Sequence, residues 1–453
     1  MNITERLAHV IAETTYDDLP AEAIEQGKRA LLDTIGVTLA GYGEESAQIL
    51  TAWVAEHEAK PVATVLGSAT GTSPALAALV NGTMGHALDF DDVTFHMRGH
   101  PSVPIAPVVL ALGEATGASG AEVLTAFLVG VEVEAKVGKA MTAAHIRHGW
   151  HPTAIIGSLG AAAAAAKLLH LNGAQTQVAL GIAASKAAGL RKNFGTMTKP
   201  LHAGEAARSG VEAAQWAQRS FTADANVLDG RFNYFQVFAG DHEFDAEAVV
   251  QDFGAPYEVV SPGIGVKPYP ACRQMHRSID AMLELVQTHG FTAEEVKEIV
   301  CETSERALSF LVHHRPQTGL EGKFSMEYAM AASVLHGKMG LTQFSDASVR
   351  DPRAQDLVQR VRYEHPDAGQ PEWDMTLPDI VRVELRDGRQ ISQRVDIPKG
   401  DPMLPLSWDE LVAKFHDCAL SLLPEEKRTA AVQQIADLET LVNLKPLMAN
   451  LIP

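Results

Sequence analysis

Helical spacing of apolar residues, repeated with little interruption through the first half of the chain, restricts this protein more than any other feature of its sequence. Residues 19–40, 46–57 and 74–88 place apolar side chains at helical intervals and are rich in Ala and Leu, both strong helix formers. Ser73-Pro74 is a helix-start signal, because Ser can cap the first turn and Pro tolerates it. Ser119 and Glu122 form a capping box ahead of an apolar helix that runs to about Met141. Residues 153–169 and 172–189 continue the pattern, the first so alanine-rich that neighbouring helices could pack closely against it. Alternating β-branched runs are nearly absent before Ala255, so this half is expected to be all-helical.

The pattern changes near residues 261–265, Ser-Pro-Gly-Ile-Gly. Residues 278–289 and 324–337 read as helices, and 296–303 as a strand with alternating apolar positions. Two further alternating runs, 380–385 and 391–395, flank Asp387-Gly388, and that dipeptide supplies the positive φ of a tight hairpin turn. A proline-bearing loop (Pro398, Pro402, Pro405) precedes a last helical pattern over 407–423. The expected fold is therefore mainly α. A large all-helical domain spans 1–261, a smaller inserted α+β lid domain spans 262–404, and a C-terminal helical segment, 405–453, packs back on the helical domain.

Composition removes several function classes. With 37 Lys+Arg against 56 Asp+Glu the formal net charge is −19, against the basic surface that binding nucleic acid requires. The 46 % hydrophobic and 21 % charged residues over 453 positions describe a globular chain long enough for a sizeable core. Three scattered cysteines, Cys272, Cys301 and Cys418, suit neither a disulfide framework nor a Cys-based zinc site, and a reducing, cytoplasmic compartment fits them best. Residues 1–13 carry Glu5, Arg6 and Glu13 in place of a basic start and an apolar block, so no export signal is expected. The uncharged stretch 149–166 is mostly Ala and Gly, with His151 and Pro152, and lacks the Leu/Ile/Phe density of a membrane span.

Five segments could carry chemistry. Residues 86–102 hold three histidines, three aspartates and Arg98, starting at a helix end and running into a loop. Gly99 and Pro101 break any regular helix at His100, so His96 and His100 need not share a helical face. A proton-transfer site on a rigid helix end competes there with a capped terminus carrying solvated charges; a metal site is the weaker reading, since no HExxH or Cys/His spacing appears. In 148–153, His151 precedes Pro152 at a helix start, where a positive helix end favours neutral, base-competent imidazole. Lys199 sits in the Gly/Thr-rich stretch 192–204 just before a helix, where an ammonium could meet a carboxylate. Residues 267–276 form a proline-stiffened loop at the domain junction, and Tyr328 lies in 323–328, which opens an apolar helix. A cap, an exposed lysine, a hinge and a core tyrosine are the corresponding ordinary roles. No dinucleotide-binding GxGxxG, P-loop or GxSxG elbow appears, so nothing supports a nucleotide cofactor or a serine nucleophile.

Taken together and in order, HALDFDD, GHPS, GWHPT, TKPLHAG and KPYPAC resemble the MmgE/PrpD family, whose members include 2-methylcitrate dehydratase, cis-aconitate decarboxylase and iminodisuccinate epimerase. The resemblance covers nearly the whole chain. It implies a helical domain plus a smaller α+β lid, a homodimer, and an active site in the cleft between the domains. It places site residues at Asp89, Thr94, His100, His151, Lys199, Lys267 and Tyr328. Cys272 stands where the decarboxylases carry a histidine, a departure that weakens a decarboxylase reading, whereas MRGHPS and KNFGTMTKP look like iminodisuccinate epimerase.

The chemistry so implied is proton transfer next to a carboxylate, without metal or organic cofactor. His100 and His151 are expected as the acid–base pair. Lys199 and Lys267 would hold substrate carboxylates, helped by Arg98, with Thr94 and Cys272 also in contact with substrate. Asp89 would orient a histidine or take a proton, and Tyr328 would donate to a leaving or incoming oxygen. The expected activity is a dehydratase-type lyase acting on a small polycarboxylate. An epimerase is the alternative; a decarboxylase and a non-catalytic scaffold rank lower.

Overall fold

Alanine and glycine determine how closely the first-half helices approach one another. In the computed structural model, which describes residues 1–364 and 377–453, the helix Pro152–Leu168 is buried at every position except Lys167. A helix that is apolar all round must sit in the middle of a bundle. It packs there against Gly120–Ala140, Ser102–Thr116 and Thr198–Gln218, and the last of these lies along Pro74–Ala87. Small residues make these crossings possible. A Cβ on Gly204 would fall 2.2 Å from the carbonyl oxygen of Leu79 and 2.3 Å from Thr83 Oγ1, and one on Gly82 would lie 2.9 Å from Gly204 Cα.

The chain forms two compact units. The first comprises Met1–Ala87, Asp91–Val266 and Ser407–Pro453; the second comprises Leu88–Phe90 and Lys267–Leu406. The first unit is helical apart from two ladders of two-residue strands, Ala63–Thr64 with Gly71–Thr72 and Val93–Thr94 with Ile264–Gly265. The expectation of an all-helical domain is corrected to that extent. The C-terminal helix Trp408–Ala419 packs on Ala21–Gly41, where Lys414 Nζ meets the buried Asp33 carboxylate at 2.6 Å.

The second unit is built on a four-stranded sheet ordered Val361–Glu364, Val296–Glu302, Asp379–Leu385, Gln390–Val395, with the first pair parallel and the others antiparallel. Asp379–Leu385 alternates buried and part-buried positions, as a strand with one covered face should. The hairpin turns at Asp387-Gly388, with Gly388 at φ 91°. Helix His276–His289 lies on this sheet, fastened by Ser278 Oγ donating to Asp379 Oδ2 at 2.7 Å while Thr303 Oγ1 donates to Oδ1 at 2.9 Å. Part of the stretch read as an α+β domain, 365–376, lies outside the described residues. No helix among the described residues is long and apolar enough to cross a membrane.

The glycine crossing yields a test. Gly204→Ala drives a methyl group into the backbone of Pro74–Ala87 and should cost about 1–3 kcal/mol, the usual range for overpacking a tight interior. Chemical denaturation against wild type measures it, and an unchanged midpoint would mean that the helices separate freely there.

Candidate functional site: two imidazoles on one buried carboxylate

In the first unit, the end of helix Pro74–Ala87 delivers His86, and the chain then turns so that Asp91 faces back toward it. His86 Nδ1 lies 2.8 Å from Asp91 Oδ2, and His100 Nδ1 lies 3.2 Å from the same oxygen. A carboxylate only accepts, so the neutral His86 ring carries its proton on Nδ1 and turns Nε2 away from Asp91. Burial works against charge on Asp91, but His100 and His86 outweigh it and hold the carboxyl well below the usual range. His86 itself is pushed down to about 3, chiefly by burial, with Lys199 and His100 adding to the effect against the opposing pull of Asp91.

His100 is placed by its own backbone, whose N–H donates to Thr153 Oγ1 at 3.1 Å in the first turn of Pro152–Leu168. His151 is the N-cap residue of that helix, as its position before Pro152 suggested. Its ring stacks on His86 at 5.6 Å between centroids and meets the edge of Phe194 at 5.0 Å. His100 and His151 are thus both brought against one ring, that of His86, which lies 4.5 Å from His100. His151 is held neutral, its pKa driven far down by burial first and then by His86 and Lys199. Lys199 is buried in the first turn of Thr198–Gln218, not in a loop before it, because the helix already begins at Thr198. Its Nζ lies 5.3 Å from the Phe194 centroid, a cation–π distance.

The next carboxyl has the opposite character. Asp92 is buried against Ser102, whose hydroxyl and N–H both bond to it, and desolvation raises its pKa to about 8. Asp33 and Asp91 push in the same direction. Thr94 and Arg98 occupy the loop between Asp92 and His100. Thr94 Oγ1 donates to Glu258 Oε1 at 2.6 Å, His96 Nδ1 meets Glu258 Oε2 at 2.7 Å, and the Arg98 guanidinium donates to the His96 carbonyl at 2.9 Å.

The remaining sequence-based candidates belong to the second unit. Lys267 is buried, and its ammonium donates to the Asp89 carbonyl at 2.8 Å and meets Asp89 Oδ1 at 3.1 Å. Any carboxylate ligand of Lys267 therefore competes with Asp89. Lys323 holds the same short stretch, donating to the Leu88 carbonyl at 2.6 Å and to Pro270 at 3.1 Å. Cys272 is buried, with its N–H donating to the Lys323 carbonyl at 3.0 Å, and the Tyr328 hydroxyl donates to the Gln343 carbonyl. Burial of Tyr328 raises its pKa.

Sequence reasoning marked 86–102, 192–204 and 323–328 as candidate segments but did not separate His86, Asp91, His202 or Lys323 from them, and it passed over Glu258. For Asp91 the available signal was the spacing His86–x4–Asp91 across a helix end, which lets the chain fold back on its own last turn. Glu258 carried no local signal, since its partners lie more than 160 positions away in sequence.

His86, Asp91 and His100 also bring metal-ligand atoms within 4.8 Å of one another. His86 already gives its Nδ1 proton to Asp91, so a cation sharing that carboxylate would take the imidazole through Nε2 or displace the Nδ1 proton.

Opposite protonation of neighbouring carboxyls gives a pH test. A carboxyl whose native pKa is raised adds stability that is complete below its unfolded value and is lost as pH rises through the native one. For Asp92 that window runs from about 3.8 to about 8. Asp92→Asn imitates the neutral acid, so the difference in unfolding free energy between wild type and variant should move in the variant's favour across that window. A difference independent of pH would show Asp92 to be ionised in the native protein.

Comparison with known proteins divides the chain near the same point, around residue 260, although the second match continues into residues 407–439 of the first unit. Residues 5–247 match the MmgE/PrpD N-terminal domain, and residues 269–439 match the MmgE/PrpD C-terminal domain. Cis-aconitate decarboxylase of Mus musculus is 30 % identical over 97 % of this chain and 91 % of its own length. The Homo sapiens protein of the same name is also 30 % identical, over 97 % and 92 %. Cis-aconitate decarboxylase of Aspergillus terreus is 25 % identical over 98 % and 95 %. Both halves match in chain order, and the relatives align with nearly the full length; the chain belongs to the MmgE/PrpD family.

Proposed function

We propose that the protein is a lyase acting on a small di- or tricarboxylic acid by proton transfer at a carbon next to a carboxylate. The observation that carries this is the Asp91 pair. A buried carboxylate holds His86 by a hydrogen bond and lies 3.2 Å from His100 Nδ1, so two imidazoles are gathered on one anion, while His151 is kept neutral at a helix start nearby. Charge that develops on the substrate carboxylate as the proton leaves needs a cation, and Lys199, close enough to depress the His151 pKa, can supply it.

Within the lyase reading, two reactions have support of different kinds. An oriented base favours proton abstraction followed by loss of hydroxide, which is dehydration, and Cys272 in place of the decarboxylases' histidine agrees with it. The relatives' name, cis-aconitate decarboxylase, favours loss of carbon dioxide with protonation of the carbon left behind. Dehydration needs both imidazoles, whereas decarboxylation needs only the acid. Epimerisation would use the same two groups on opposite faces of one carbon.

One experiment separates these. A panel of di- and tricarboxylates is incubated with the protein in deuterated buffer and followed by NMR for water loss, carbon dioxide release, and deuterium wash-in without either. The lyase reading expects one of the first two, and wash-in alone would replace it with epimerisation. His100→Gln and His151→Gln should each lower turnover by about 10²–10⁴-fold with the fold intact. Retention of decarboxylation in His100→Gln together with its loss in His151→Gln would favour the decarboxylase.

Because the sequence carries no HExxH or Cys/His metal spacing, turnover should also survive exhaustive chelation. Loss restored by a single divalent ion would overturn that expectation.

A further inference from the structure

His151 is 2 % exposed and His202 8 %, and their Nδ1 atoms lie 3.0 Å apart. Two neutral imidazoles can make such a bond only if one of them brings the proton, so the pair holds a single N–H between its Nδ1 atoms. If His202 donates, His151 carries its own proton on Nε2 and is an acid. If His151 donates, its Nε2 is a lone pair and the ring is a base. The direction of one hydrogen bond therefore sets what His151 can do. Burial first, and Lys199 second, hold His202 neutral as well, with its pKa down to about 4.

His202 also has an outlet. It lines an open recess of about 450 Å³, whose other walls include Lys186, Asn193, Glu205 and Ser209, polar groups that suit water. We infer that His202 is the proton-transfer partner of His151, connecting that ring to the water of this recess while substrate covers the Nε2 side.

In the acid direction, His151 gives its Nε2 proton to the substrate carbon and receives the His202 Nδ1 proton on its own Nδ1. A hydronium ion or buffer acid in the recess then protonates His202 Nε2. One proton enters from solvent and one leaves to substrate, and both rings are neutral before and after. Once product departs, water on the substrate side reprotonates His151 Nε2, the shared proton returns to His202, and His202 Nε2 releases its proton to the recess. The base direction is the reverse path. The inference rests on the lyase reading, since it needs a proton exchanged at carbon, and it makes His202 a positioning and relay residue that does not itself touch substrate.

The test uses the full-length enzyme. His202→Asn can still hydrogen-bond His151 Nδ1 through its amide, so a merely orienting role predicts turnover close to wild type. The relay predicts a fall in kcat of about 10²-fold with KM little changed, partly restored by added imidazole small enough to enter the recess. Wild-type kcat in His202→Asn, or a fall that imidazole does not relieve, would overturn it. A second readout needs no substrate: in protein carrying ¹⁵N-histidine, the shared proton should give a scalar coupling between the two Nδ1 atoms, and the His151 ring proton should exchange with water more slowly in the variant. Two unshared Nδ1 nitrogens in wild type, or an exchange rate unaffected by the substitution, would overturn the relay even if the variant folded poorly. If no acid in the panel is turned over, the lyase reading fails by itself and the spectra still decide the relay.

Discussion

The carboxylate of Asp91, removed from water and shared by two imidazoles, is the interaction on which the rest of the candidate site depends. An ionised group in an apolar interior is expensive unless hydrogen-bond donors surround it. Here His86 donates and His100 lies 3.2 Å away, and meeting that demand sets the His86 tautomer and the fold-back of the chain after helix Pro74–Ala87. His151 then stacks on the ring that Asp91 has oriented, and His202 bonds to His151. Four histidines are thus ordered outward from one oxygen atom.

Asp91 and Asp92 are consecutive in sequence yet differ in charge for a plain reason. The chain bends at Asp91, and one carboxyl meets two imidazoles while the other meets Ser102 with Asp33 not far off. Two adjacent buried anions would repel each other strongly at low dielectric. Keeping one as a neutral acid relieves that repulsion without removing the side chain from the interior.

Much of this was legible from residues alone. The capping box at Ser119 and Glu122, the helix start at Pro152 and the Asp387-Gly388 hairpin are local signals, each decided by a few neighbouring side chains, and each is present in the structure. The rich segment 86–102 was visible as a concentration of titratable groups. What stayed hidden depends on chain reversal and distance. The parallel strand Val361–Glu364 pairs with Val296–Glu302 across a long connection that no local rule specifies. The bond between His151 and His202 exists because two helix starts are packed side by side, and a sequence pattern carries no information about which starts will meet. Lys267 shows another case: it was expected to hold a substrate carboxylate, and the anion it meets in the structure is Asp89, from the same family motif set.

The contact at Gly82 and Gly204 has a consequence for how such a protein can diversify. One helix of that crossing ends in His86 and the other carries Lys199 and His202, so the spacing of these groups is inherited from backbone lying on backbone. Side-chain packing can be retuned a methyl group at a time, but a contact made largely by backbone atoms offers little such gradation. Variation tolerated elsewhere in the chain would leave this part of the proton machinery at a fixed gauge. Lineages descending from a common ancestor could then acquire new substrates only by reshaping surfaces that do not pass through the crossing.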